Sequence, residues 1–141
     1  MADPRLSVAF GEVGAVFASF KIDNSTITYS ATSNGGSAQV GLAVALSAAD
    51  TIELVGDGEE VIGKLISVES DNIAVVQIAG GMTLAAGTAA SLTLGKKIVG
   101  DLLVSAEGYI REVNTAQAAE LGVARGMILD AGTTTAVEVY L

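Results

Sequence analysis

Gly58-Glu-Glu-Val-Ile-Gly63-Lys64-Leu65 has the G-x-x-x-x-G-K spacing of a phosphate-binding loop. Such a loop works because successive backbone amides cradle phosphate, the lysine reaches its outer oxygens, and a following Ser or Thr hydroxyl holds Mg²⁺. Here Leu65 stands where the hydroxyl is required, and Glu59 and Glu60 would repel the ligand. The segment also follows a turn and continues as a strand, whereas a phosphate loop opens a helix. It reads better as the first arm of a β-hairpin, with Gly63 allowing close packing or a bulge.

The carboxylates Asp50, Glu53, Asp57, Glu59, Glu60, Glu69 and Asp71 form a second candidate constellation. A calcium loop needs alternating oxygen ligands around a Gly and a bidentate Glu at fixed positions, and Asp57-Gly-Glu-Glu lacks that order. A two-carboxylate glycosidase needs a defined separation and usually aromatic sugar platforms, and the chain has three Phe, three Tyr and no Trp. Solvated turn and edge acids account for the cluster, and edge charge also blocks unwanted sheet pairing. Asn24-Ser25-Thr26 satisfies the glycosylation triplet but reads as a turn. Lys96-Lys97, Arg111 and Arg125 form no patch and read as exposed charge, with pairing to acids on an adjoining subunit or a host surface as the other possibility. Met82 and Met127 read as core fillers.

The chain has no His and no Cys. That removes Ser-His-Asp triads, Cys-His dyads, zinc-thiolate sites and disulfides together. No enzymatic activity, cofactor or metal is expected. A formal net charge of −9 opposes nucleic-acid binding, which depends on Lys and Arg neutralising phosphates. The same charge keeps an otherwise apolar chain soluble, and no apolar run approaches the roughly 20 residues that span a bilayer. The expected partners therefore include neither nucleic acid nor membrane. Met1-Ala-Asp-Pro-Arg-Leu carries no basic region leading into an apolar segment, so synthesis in the cytoplasm is expected.

The elements that position these residues are strands. Half of the 141 residues are hydrophobic, but mostly Ala, Val, Leu and Ile, giving a core thin in large side chains and favouring burial against other subunits. Leu6 to Phe10 and Val13 to Ile22 alternate apolar and polar residues, and Asp23-Asn24-Ser25 turns into Thr26–Ser30 before the loop Ser33-Asn34-Gly35-Gly36-Ser37. Residues 1–37 thus read as an extended N-terminal arm able to wrap on a neighbour, and 38–141 as a β-rich core domain. Val40, Leu42, Val44 and Leu46 alternate with small residues. That face suits either close approach of a second sheet or subunit, or simply an Ala-rich strand. Thr51–Val55 follows. The clearest hairpin is Glu60–Glu69, turn Ser70-Asp71-Asn72, and Ile73–Ala79. Met82–Leu94 reads as two short strands around Ala86-Gly87-Thr88, and Asp101–Val113 as a hairpin turning at Gly108. The helix candidate is Thr115–Leu121, capped by Asn114 or Thr115 and closed by Gly122. Met127–Asp130 and Ala136–Leu141 close the chain. The expected fold is mainly β, a small antiparallel β-barrel or β-sandwich built of hairpins, with an extended N-terminal arm and at most one short helix.

Across Gly58–Glu69, Ala124–Asp130 and Val137–Leu141, and in its Ala/Gly/Thr/Val-rich texture, the chain resembles the small head decoration, or capsid cement, proteins of tailed bacteriophages. The resemblance covers residues 38 to 141. It implies a virion protein on the outer capsid surface, bound as a homotrimer to the major capsid protein and stabilising the shell. On that reading Arg5, Leu6, Val8, Phe10, Val16 and Phe20 are expected at the capsid. Val40, Leu42, Val44, Leu46, Ile66 and Val68 are expected between subunits. A β-rich binding or adhesion module is the alternative.

Overall fold

The computed structural model describes residues 13–133 and 135–141. Ten strands occur among them: β1 Val16–Ile22, β2 Ala43–Ala48, β3 Thr51–Leu54, β4 Gly63–Val68, β5 Ile73–Ala79, β6 Gly81–Leu84, β7 Ile98–Leu103, β8 Ala106–Glu112, β9 Met127–Thr133 and β10 Ala136–Tyr140. One short helix, α1 Ala118–Val123, lies between β8 and β9. The mainly β expectation holds. No helix among the described residues is long and apolar enough to cross a membrane.

β1, β3, β2, β4 and β5 close a barrel in that order. Four of its five pairings are antiparallel, but β1 and β3 run parallel through Lys21↔Thr51 and Ile22↔Ile52. That one pair departs from the otherwise antiparallel barrel, because a parallel pair needs a crossover, and residues 23–50 with β2 supply it. The barrel interior holds Ile22, Ile27, Val44, Ile52, Leu54, Leu65, Val68, Ala74 and Val76. Thr26–Ser30 was expected to extend but joins no strand. Instead the Asp23 carboxylate accepts the amides of Thr26 and Ile27 and the Ser25 and Thr26 hydroxyls, folding the segment so that Ile27 plugs the barrel.

The second lobe comprises the sheet β6-β10-β9 and the hairpin β7-β8. Its edges are covered: the Ile110 amide donates to the Ala85 carbonyl at 3.0 Å, the Ile128 amide to Lys96 at 2.9 Å, and Ile98 bridges Arg125. Its core contains Val55, Val61, Met82, Leu84, Ile98, Ile110, Ile128, Val137 and Val139, joined by Ala43 and Ala45 of β2. The first half of β2 is therefore buried on both faces, with Val44 in the barrel and the two alanines in the second lobe. The small residues of this strand serve close approach of a second layer from the same chain.

Several boundaries differ from expectation for local reasons. β4 starts at Gly63, not Glu60, where a Cβ would overlap the Gln77 carbonyl and Val76. The β4–β5 turn falls at Glu69–Asn72 as expected, with Asn72 at φ +63°. The β7–β8 turn is Val104-Ser105, not Gly108. Gly108 lies inside β8 at φ +96°, against the Leu42 and Leu54 side chains. The helix starts three residues late, at Ala118, because Asn114 is used in a turn: its Oδ1 accepts the Ala116 amide and its carbonyl the Gln117 amide. Ser91–Leu94 forms no strand.

The division at 37/38 coincides with no break in the described fold, since β1 is a barrel strand and Ile22 and Ile27 are core residues. Two expected outcomes follow. Gly63→Ala should lower the urea midpoint, costing about 1–3 kcal/mol by forcing the β4–β5 backbones apart. Val104 is 86% exposed and sits at φ +62°, a conformation a β-branched residue adopts at a cost. Val104→Asn should raise the melting temperature, by roughly 1 kcal/mol of relieved strain.

Candidate functional site

One set of polar residues is drawn together by the fold. β8 carries Arg111 with its side chain 11% exposed, next to Ile110, which faces the lobe core. β7 carries Asp101, and the turn between β3 and β4 carries Asp57. That turn is held by the Gly58 amide on the Gly100 carbonyl and the Gly100 amide on the Glu59 carbonyl, both 2.9 Å. α1 contributes Glu120, the one buried residue of the helix. All three carboxylates aim at the same guanidinium.

The Arg111–Glu120 pair is two-pronged: Nη2 donates to Oε1 at 2.6 Å and Nη1 to Oε2 at 2.9 Å. Arg111 Nε donates to Asp57 Oδ1 at 3.1 Å, and Asp101 Oδ1 lies 3.9 Å from Nε. The remaining valences are filled. Nη1 donates to the Glu112 carbonyl, Glu120 Oε2 accepts the Asn114 amide at 2.9 Å, and Asp101 Oδ2 accepts the Ala89 amide at 3.0 Å. Hydrogen bonds from Arg111 outweigh burial and hold the Glu120 carboxyl below its ordinary range. The same bonds raise the already high pKa of Arg111.

A cavity of about 630 Å³ opens beside this cluster, walled by Asp57, Thr88, Ala89, Ser91, Asp101, Arg111 and Asn114 among others. Its cation is already committed. Three carboxylates surround one guanidinium, so the wall is net negative and a bound anion would have to displace an internal partner. Glu120, held ionised against Arg111, has no proton to give at neutral pH. The arrangement acts as an ion clamp joining α1, β8 and the Asp57 turn.

The sequence reading missed this clamp, treating Arg111 as exposed charge. The signal was faint: a single Arg inside the apolar run Tyr109–Val113, with Glu120 on the only helix candidate. Arg125 is also partly buried and donates to the Val61 and Ile62 carbonyls. Of the clustered acids, only Asp57 reaches the clamp. Glu59 and Asp71 accept the Gly56 and Ile73 amides in their own turns. Along the phosphate-loop spacing, Ile62 and Leu65 donate their amides to Val44 and Leu42, so these groups are engaged by the strand neighbour. Among the described residues no group of three or more acids is arranged to hold a metal ion.

The residues expected at contacts divide. Arg5, Leu6, Val8 and Phe10 lie outside the described residues. Val16 is 49% exposed, while Phe20 packs against the barrel core. Val44 and Val68 have 0% and 2% exposure, which corrects their expected place between subunits: as inward-facing barrel residues they offer a partner no surface. Val40 and Leu42 precede β2 in a turn closed by Val40 on Ser37 and Leu42 on Gln39, and with Ile66 they are half-buried. Leu46 is 54% exposed. Comparison with protein-family models and with curated proteins finds no match to this chain.

Removing Glu120 takes the two-pronged partner from a buried guanidinium and leaves it Asp57 and the more distant Asp101, so Glu120→Ala should cost about 3 kcal/mol, whereas Arg111→Met with Glu120→Leu, which leaves the Asp101 carboxylate still bonded to the Ala89 amide, should cost less. Urea denaturation of the three proteins checks this. Because folding depresses the Glu120 pKa, its contribution is complete above the unfolded value of about 4.3 and is lost as pH falls through the folded value. The acid limb of a stability–pH curve should therefore be shallower in the Met/Leu double variant.

Proposed function

We propose that the chain is a structural virion protein that binds the outside of a phage capsid and stabilises it, acting as a homo-oligomer. The observation that carries this reading is an exposed apolar seam where the two lobes meet. Val13, Val16, Met127 and Tyr140 are 55%, 49%, 43% and 42% exposed. They converge through the backbone: the Gly81 amide donates to the Val13 carbonyl, and Tyr140 pairs with both Gly81 and Met127. Val13–Phe20 carries no charge in a chain of net −9. An apolar patch on an otherwise charged surface suits a site that another macromolecule covers.

The resemblance of residues 38–141 to capsid cement proteins favours a shell as that macromolecule, with the major capsid protein as partner. The position of Val16 on β1 agrees with an N-terminal capsid contact that extends over Arg5, Leu6, Val8 and Phe10. The action is mass action: a ligand that binds only assembled shell stabilises it, summed over many sites. The clamp, whose one cation is committed to internal carboxylates, supports a binding role over a chemical one.

Titrating the protein onto bare capsids of its phage should give saturable binding and a rise in capsid melting temperature. Val16→Asp or Met127→Asp should weaken binding about tenfold or more while leaving the fold intact. Absence of saturable binding would sink the proposal.

A further inference from the structure

A groove of about 410 Å³ runs between β2, the turn before β4 and α1. Its floor is apolar, from Ala45, Leu46, Ile62, Ala119 and Val123, and Glu59 and Glu60 stand at its rim. Leu46 is half exposed on a strand whose preceding three residues are buried. Glu53, the register partner of Ala45, adds to the negative field: partial burial and the neighbouring Glu59, Asp23 and Glu107 raise its carboxyl above the ordinary range. Such a site selects an aliphatic anchor lying next to positive charge.

The chain presents that chemistry elsewhere on its own surface. Leu94 is 63% exposed and is followed by Gly95 and the exposed pair Lys96-Lys97, neither of which meets a carboxylate among the described residues. The described arginines are committed, Arg111 to the clamp and Arg125 to the Val61 and Ile62 carbonyls and, at 4.0 Å and half exposed, to the rim's Glu60, a pair that an incoming lysine can share. The turn is held at its base: Gly95 donates to Ile128 at 2.8 Å, Ile128 to Lys96 at 2.9 Å, and Val113 to Lys97 at 3.0 Å. A pre-ordered turn loses little freedom on docking.

We propose that copies of this chain associate head to tail, the Leu94–Lys97 turn of one seating in the acid-rimmed groove beside β2 of the next. Leu94 fills the apolar floor beside Leu46 while Lys96 and Lys97 meet the Glu59 and Glu60 rim. This apposition offsets the repulsion expected between two chains of net −9. Two different patches make the contact heterologous, so it propagates into a closed ring when the rotation per copy permits. The inference rests on the reading of the protein as a homo-oligomer and supplies its interface.

The test uses the full chain in sedimentation velocity over a concentration and salt series. Leu94→Asp removes the turn and Leu46→Asp the groove; both positions are exposed, and circular dichroism monitors the fold. Each variant alone should be monomeric, its association weakened about tenfold or more, yet an equimolar mixture should form a dimer, because one variant keeps an intact groove and the other an intact turn. Lys96→Glu with Lys97→Glu should weaken association and abolish its salt dependence. A wild type that stays monomeric, an oligomer indifferent to both Asp substitutions, or a mixture that yields no dimer overturns the proposal. A monomer that still binds bare capsids rejects this contact alone; an oligomer built on this contact that ignores capsids rejects the shell reading alone.

Discussion

The structure depends on the first half of β2, Ala43 to Ala45, being buried on both faces. Val44 points into the barrel and Ala43 and Ala45 into the second lobe, so one strand is a wall of two cores. This works only with small side chains on the second face, because sheet layers carrying larger residues stand about 10 Å apart. The Val55 amide on the Ala43 carbonyl and the Ile62 amide on the Val44 carbonyl tie the loops flanking Asp57 to the same strand. The turn carrying Asp57, the groove lining at Ile62 and the start of the main hairpin are all positioned from this wall.

The ion clamp is the second organising feature, and its value lies in specificity more than in energy. Burying a guanidinium with carboxylates loses hydration that the pairing only partly returns. What it secures is geometry, since the planar fork of Arg111 admits Glu120 in a two-pronged arrangement with Asp57 on Nε. A six-residue helix is too short to be stable alone, and the Glu120 contact holds α1 against β8. Since α1 also forms one wall of the acid-rimmed groove through Ala119 and Val123, the clamp sets the shape of a surface as well as of an interior.

The surface divides between charge and apolar seams. With aliphatic residues dominating and few aromatics, each lobe has a modest core, and large apolar side chains remain outside at Val13, Val16, Leu46, Leu94 and Tyr140. The proposed association and shell binding would cover that surface, and the net negative charge would confine them to places where acids are absent or where another chain brings cations.

The class of the fold was legible from period-two alternation at Val16–Ile22, Gly63–Val68 and Ala136–Tyr140, and from turn chemistry at Asp71-Asn72, because both are local properties of neighbouring residues. So was the rejection of the phosphate loop, which Leu65 and the paired glutamates decide by themselves. The lack of His and Cys likewise removed whole reaction classes. Contacts between distant residues were not legible. That β1 meets β3 in parallel, that Gly108 is an interior strand residue under Leu42, that Val44 and Val68 face inward, and that Arg111 gathers Asp57, Asp101 and Glu120 all depend on pairings across long stretches of chain. Alternation specifies that a strand has two faces; only the tertiary structure decides what each face meets, because burial belongs to the assembled layers and not to the strand.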